Sequence, residues 1–302
     1  MSQSSRQFLD TLGRIADALE RIAPASRVKP DFKQITAARW RVSGTLKYLE
    51  AVQHVHHMEA DWLVGVEAQH AQIDRNTKQF VVGKLANNVL LTGSRGTGKS
   101  SLVKAMLARY AKRGLRLIEV EKEHLNDMPD IVDRIADEPY RFVLFCDDLS
   151  FDAGDGSYKA LKAILDGSIA AATPNVLIYA TSNRRHLLPE YFHENEETKY
   201  VGEEVHFGES VEEKVSLSER FGMWISFYPF SQEDYLAAVT SWVKQLGAAI
   251  PADAKKHEVF ERDALNWALQ RGSRSGRVAY QFARDFAGRV GGTANTGKPK
   301  GA

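Results

Sequence analysis

Cysteine is almost absent from this chain: Cys146 is the only one among 302 residues. No intramolecular disulfide is available, so the disulfide-built secreted scaffolds are excluded and a reducing, cytoplasmic location is expected. An excess of charge of one sign is missing as well. The chain has 40 Lys and Arg against 39 Asp and Glu, a formal net charge of +1. No global field therefore draws it to nucleic acid or to a membrane, although local patches stay open. No apolar run approaches the roughly 20 residues that cross a bilayer. Arg6, Asp10, Arg14 and Asp17 stand too densely at the start for a signal peptide. Hydrophobic residues make up 43%, enough to build the core of one large domain or two medium ones.

Against these absences stands one dense motif, in the stretch NVLLTGSRGTGKSS over 88–101. Asn88–Thr92 reads as a short buried strand. Gly93, Ser94, Arg95, Gly96, Thr97, Gly98, Lys99 and Ser100 match G-x-x-x-x-G-K-[ST] without a gap, and Ser101–Tyr110 continues as an apolar-periodic helix. Glycines let successive backbone N–H groups turn toward one anion, and the helix N-terminus adds positive potential. Lys99 supplies a charge for the β- and γ-phosphates, while the Ser100 hydroxyl suits Mg²⁺. The stretch reads as a nucleotide-binding P-loop.

The segments downstream extend the same theme. After Gly114, Leu115–Val120 reads as a strand, followed by a short helix over Pro129–Ala136. Phe142–Cys146 is a strand too apolar to have a wet face, and it ends in Asp147 and Asp148. Strands of this kind belong to parallel sheets covered by helices on both sides. Asp147 then sits at a strand's C-terminal end, where such sheets bind ligands and an aspartate orients the Mg²⁺ shell. Asp148 faces a water placed for attack. Val176–Asn183 is a further buried strand, polar at Thr181, Ser182 and Asn183, whose amide can position that water. Met223–Tyr228 is the fifth strand. Ser231 and Asp234 resemble a capping box for the next helix, and helices over 258–271 and 276–289 complete the pattern.

The flanks are less specific. Phe8, Leu12, Ile15, Leu19 and Ile22 recur at helical spacing, so residues 5–23 form an expected amphipathic helix. Residues 31–60 hold two aromatic-bearing segments and His54, His56 and His57, with no cysteine to complete a zinc set. Asp61–Glu67 precedes a polar helix over about 67–82 and either lays its backbone against an adenine ring or is an ordinary loop. Tyr158–Asp166 is an expected helix. Residues 190–214 turn glutamate-rich, as an inserted loop or hairpin that is either solvated or in contact with a partner. Residues 291–302 are an expected disordered tail.

Together these residues resemble the AAA+ ATPases over about 61–290. The strings DDLSF (147–151), YATSNRRHLLPE (179–190) and LSERFGMWISFYPF (217–230) are most similar to one bacterial branch of predicted AAA+ ATPases. That branch is classed as a domain of unknown function (number 815), and the similarity to it extends into 35–60. The resemblance implies an α/β fold with a five-stranded parallel sheet in the order 5-1-4-3-2. It divides the chain into an N-terminal helical extension (1–60), a nucleotide-binding domain (61–230), a helical lid (231–290) and the tail. It places Lys99 and Ser100 on Walker A, Asp147 and Asp148 on Walker B, and Asn183 on sensor 1. Arg220 falls on the arginine finger and Arg277 on sensor 2, with Ser101 completing the phosphate-binding set.

The implied activity is ATP hydrolysis with Mg²⁺, held by Ser100 and Asp147, in a homo-oligomer that acts on a protein or nucleic-acid client. The first rival is a nucleotide-gated binding module with little hydrolysis; the second is a small-molecule kinase on the same core. One departure matters: the family's Walker B ends Asp-Glu, and Asp148 is one methylene shorter. A misplacement near 1 Å at a reacting centre costs about a hundredfold.

Overall fold

The computed structural model describes residues 29–151, 161–162, 164–165, 173–183, 199–201, 204–206 and 219–291. The helix expected over 5–23, the tail, and the arginines at 184 and 185 lie outside these residues, as does most of the helix expected over 158–166. The described residues open with two strands, β1 (Ala37–Ser43) and β2 (Leu46–Ala51), and then α1 (Glu67–Val81). The P-loop unit follows as β3 (Val89–Gly93) and α2 (Lys99–Tyr110). Next come β4 (Leu115–Glu119), α3 (Met128–Ile135), β5 (Arg141–Cys146) and β6 (Val176–Ser182). Strands β7 (Lys199–Val201) and β8 (Glu204–His206) pair with each other inside the glutamate-rich segment. The described residues close with β9 (Met223–Phe227), α4 (Gln232–Gln245), α5 (Ala254–Gln270) and α6 (Gly276–Val290).

The main sheet has the order β2-β1-β4-β5-β6-β3-β9. Strands β4, β5, β6, β3 and β9 are mutually parallel, and counted from the P-loop strand they run 2-3-4-1-5. The expected five-stranded sheet is corrected to a mixed one of seven strands. The added pair comes from 37–51, a stretch assigned above to a helical extension. Here β1 runs parallel to β4, and β2 closes the edge antiparallel to β1. The local reason is period-2 patterning. Ala38 and Trp40 are buried while Arg39 is exposed, and Gly44, at φ 61, makes the left-handed first residue of a two-residue hairpin loop. Trp40 is fully buried, its indole N–H donating to Asp127 Oδ2 at 3.0 Å. That anchors the hairpin to the 122–127 turn before α3.

The continuous apolar runs in β4 to β6 follow from burial on both faces. In β5, Phe142, Leu144 and Cys146 join the core that α3 and the hairpin cover. Val143 and Phe145 face the core built by α1 and α2, with Ile73, Phe80, Leu102 and Met106. Burying one such side chain stabilises by about 1.5–3 kcal/mol, so a polar residue within these runs has few places to go except the strand ends. Helices α4, α5 and α6 form a third core around Tyr235, Val239, Phe260 and Phe282. The capping box at the start of α4 is present: the Asp234 N–H donates to Ser231 Oγ at 3.0 Å, and the Ser231 N–H donates to Asp234 Oδ2 at 3.1 Å. Among the described residues, no helix is long and apolar enough to cross a membrane.

Candidate functional site

The C-terminal ends of β3, β5 and β6 meet where the P-loop turns into α2, and the turn is set by backbone that only glycine adopts freely. Gly93 has φ 125, and a Cβ there would stand 1.9 Å from the Phe227 carbonyl oxygen of β9. Gly96 has φ 74, and a Cβ there would stand 2.9 Å from Ser275 Oγ at the start of α6. The first glycine lets the loop leave the sheet; the second lets the C-terminal helices seat against it.

The loop ends at Lys99, which is only 5% exposed. Its ammonium donates to the Gly93 carbonyl at 2.7 Å, the Ser94 carbonyl at 2.7 Å and Asn183 Oδ1 at 2.9 Å. Burial pushes its pKa down to about 8; Asp148 and Asp147 oppose that shift, while Arg95 and Arg277 add to it. An anion beside it would favour the charged form. Ser100 Oγ donates to Asp147 Oδ1 at 2.6 Å, and the Thr181 hydroxyl donates to the same oxygen at 2.6 Å. Asn183 donates through Nδ2 to Asp148 Oδ1, and Arg95 Nη2 lies 3.9 Å from Asp148 Oδ2. Asp148 adopts φ 54, the left-handed region that residues with a Cβ seldom occupy.

These groups face a cavity of about 800 Å³. Arg95, Gly96, Thr97, Gly98, Lys99, Ser100 and Ser101 line it on one side, with Asp147, Asp148 and Asn183 beside them. Arg277 reaches it from α6. Gly93 and Ser94 contribute their carbonyls to Lys99 from behind the loop. Trp62, Leu63, Val64, Trp242 and Tyr280 also line the cavity, together with His56, His57 and Gln245. Trp242 packs edge-on against both Trp62, with ring centroids 6.0 Å apart, and Tyr280, at 4.8 Å. A cavity lined by fixed cationic and N–H groups together with flat rings suits a phosphate ester of an aromatic base. The Ser100 hydroxyl and Asp147 carboxylate form the hard-oxygen donor pair that Mg²⁺ takes.

Arg220 is not part of this assembly. It lies just ahead of Met223, which pairs with Val89 at the N-terminal end of β3, whereas the P-loop leaves from the C-terminal end. The residues that sequence reasoning missed are Thr181 as the partner of the Asp147 carboxylate and the Asp148 N–H, and Trp242, Tyr280, Ser275 and Gly276 from the C-terminal helices. Thr181 was visible as a polar strand end. The aromatic pair carried no distinguishing signal, because such residues on helices read as ordinary core.

A family model described as "Protein of unknown function (DUF815)" matches residues 33–290. No curated protein sequence matches. Among solved structures, a Thermotoga maritima RuvB mutant aligns at a TM-score of 0.50 and 15% identity, covering 80% of this chain and 69% of that one. The Aeropyrum pernix ORC1 protein, solved in complex with DNA, gives 0.50 and 17%, covering 75% and 61%. C. elegans PCH-2 gives 0.50 and 16%, covering 76% and 65%. The chain thus spans less than two thirds of the ORC1 and PCH-2 chains. At these identities the likeness establishes the fold.

Proposed function

The chain belongs to the DUF815 family and has the AAA+ P-loop fold, and from that premise we propose that it binds Mg·ATP and hydrolyses it to ADP and phosphate in a homo-oligomer. One observation carries the reading: Lys99, Ser100, Asp147, Asp148 and Asn183 converge on one cavity that Trp62, Trp242 and Tyr280 also line. In this reading Lys99 turns from its carbonyl partners to the β- and γ-phosphates. Ser100 and Asp147 hold Mg²⁺, which when bound neutralises charge on the phosphate oxygens. Asp148, steadied by Asn183, orients a water and takes its proton as the water oxygen bonds to the γ-phosphorus. The bond to the β,γ-bridging oxygen breaks, and ADP leaves with that electron pair. Arg277 closes over the phosphates from the C-terminal helices, which act as a lid.

Arg220 is assigned to the nucleotide of a neighbouring copy, since its own P-loop lies at the other end of β3. A trans arginine of this kind is worth about 10³–10⁵ in rate. The hydrolysis drives remodelling or loading of a protein or nucleic-acid client. The ORC1 structure in complex with DNA lends that class of client support on the fold alone.

Steady-state phosphate release tests the whole reading. Arg220→Ala and Lys99→Ala are each expected to be nearly inactive alone. Mixed, they recover part of the activity, with a concentration dependence that follows assembly. Asp148→Asn keeps Mg·ATP binding and loses turnover by about a hundredfold. A protein that stays monomeric with ATP at every concentration, or an Arg220→Ala variant with full turnover, removes the trans mechanism.

A further inference from the structure

We infer that Thr181 is the positioning residue that sets the aim of both Walker B carboxylates. The inference rests on the proposed hydrolysis for its kinetic consequence, though not for its geometry. The β5–β6 ladder ends at Cys146, which pairs with Ala180. Beyond it the chain must place Asp147 and Asp148 without ladder bonds, and residue 148 does so at φ 54. Three bonds to Thr181 take over there. Its hydroxyl donates to Asp147 Oδ1 at 2.6 Å and accepts the Asp148 N–H at 2.9 Å. Its carbonyl accepts the Leu149 N–H at 2.7 Å.

The residue is 1% exposed, so its hydroxyl is largely shielded from water. A hydroxyl has one proton to give and lone pairs to accept with. Here the proton goes to one carboxylate and a lone pair takes the backbone N–H of the next residue. The two acids are thereby fixed relative to each other by one oxygen atom. That matters at Asp148, whose short side chain and left-handed backbone leave little slack for reaching a water. Among the described residues that bond the pair, Thr181 alone touches both the Asp147 side chain and the Asp148 backbone. An ordinary buried threonine needs only one partner, most often a nearby carbonyl.

Thr181→Val keeps shape and β-branching while removing both hydroxyl bonds. Its expected signature is a split. The kcat falls by about ten- to a hundredfold as Asp148 loses its aim, while the KM for ATP stays within about threefold because Lys99 does not bond Thr181. Thr181→Ser restores kcat to within about threefold of wild type. Should valine not be tolerated, Thr181→Ser against Thr181→Ala poses the same question with and without the oxygen. A second arm needs no catalysis: amide exchange at Asp148 in the nucleotide-free protein speeds up by about tenfold in the valine or alanine variant and not in serine. Unchanged kcat in Thr181→Val, a serine variant as slow as valine, or unchanged Asp148 exchange would each overturn the inference. If wild type neither binds nor hydrolyses ATP, the proposed function falls by itself, and the exchange arm alone decides on Thr181.

Discussion

The sheet holds two networks of hydrogen-bonded polar side chains, one near each end of β3, and they differ in charge, in burial and in what they face. Before β3, Asn76 and Thr77 of α1 meet Tyr179 of β6. Asn76 Nδ2 donates to the Asn87 carbonyl at 2.9 Å, and its Oδ1 accepts the Asn87 N–H at 3.0 Å. The Tyr179 hydroxyl lies 3.2 Å from Asn76 Nδ2 and 2.9 Å from Thr77 Oγ1. The three side chains are neutral and none lines the cavity. After β3, the network of Lys99, Asp147, Asp148, Asn183 and Thr181 is charged and opens on it. Hydrogen bonding is thus shared by both, but Asp147 and Asp148 are exposed, so only the second has donors and carboxylates that a solute can reach. A closed neutral network fixes how helix and sheet pack; an open charged one has interactions left to exchange for a ligand.

Lys99→Ala tests the open network with the largest effect. Detectable ATP binding by calorimetry is lost, more than about a hundredfold, since the charge aimed at the phosphates is gone. Circular dichroism stays native, because Lys99 is a loop-end charge that belongs to none of the three hydrophobic cores. Unchanged ATP affinity would return this network to the same class as the first. Asp148→Glu sharpens the point: turnover rises if the short side chain limits the rate, and falls if the left-handed turn at 148 is fitted to aspartate.

Much of this was legible from sequence for a physical reason. The P-loop glycines are dictated by backbone: Gly93 by the Phe227 carbonyl, Gly96 by Ser275. Such positions leave a fixed spacing in the chain. The parallel strands were legible because burial on both faces leaves continuous apolar runs. The β1–β2 hairpin was missed although Ala38, Arg39 and Trp40 alternate around a Gly44 turn, because tryptophan at 40 reads equally well as a helical anchor. What joins elements distant in sequence stayed hidden. The contact of Gly276 with the Gly96 carbonyl, 3.1 Å from an added Cβ, and the ring pair of Trp62 and Trp242 leave no local pattern. Lys99 itself was predictable; its three partners were not.

The closed network yields a smaller effect of a different kind. Asn76→Ala leaves the Asn87 N–H and carbonyl without their side-chain partner, which costs about 2–3 kcal/mol of stability. Urea denaturation reads this as a lower midpoint at unchanged slope. ATP affinity should stay within about twofold of wild type, since no member of that network borders the cavity. A loss of binding at unchanged stability would break the division between the two networks.

The smallest effect falls on Tyr179, and it asks whether the two networks are independent along β6. Tyr179 and Thr181 are two residues apart on one strand, so both side chains point to the same face of the sheet. Tyr179→Phe removes one hydroxyl and little else. Asn76 Nδ2 keeps the Asn87 carbonyl at 2.9 Å, and Thr77 Oγ1 keeps the Ile73 carbonyl at 2.7 Å. The ring stays buried, and the lost hydroxyl was itself paired, so the expected cost is about 1 kcal/mol. In a protein of this size that lowers Tm by about 2 °C. Turnover is expected to be unchanged, because the strand is held at this point by its ladder to β3 and β5 rather than by the tyrosine oxygen. If Tyr179→Phe instead slows hydrolysis with Tm preserved, β6 transmits strain from α1 to the turn at Asp147 and Asp148. The neutral network would then belong to the site after all.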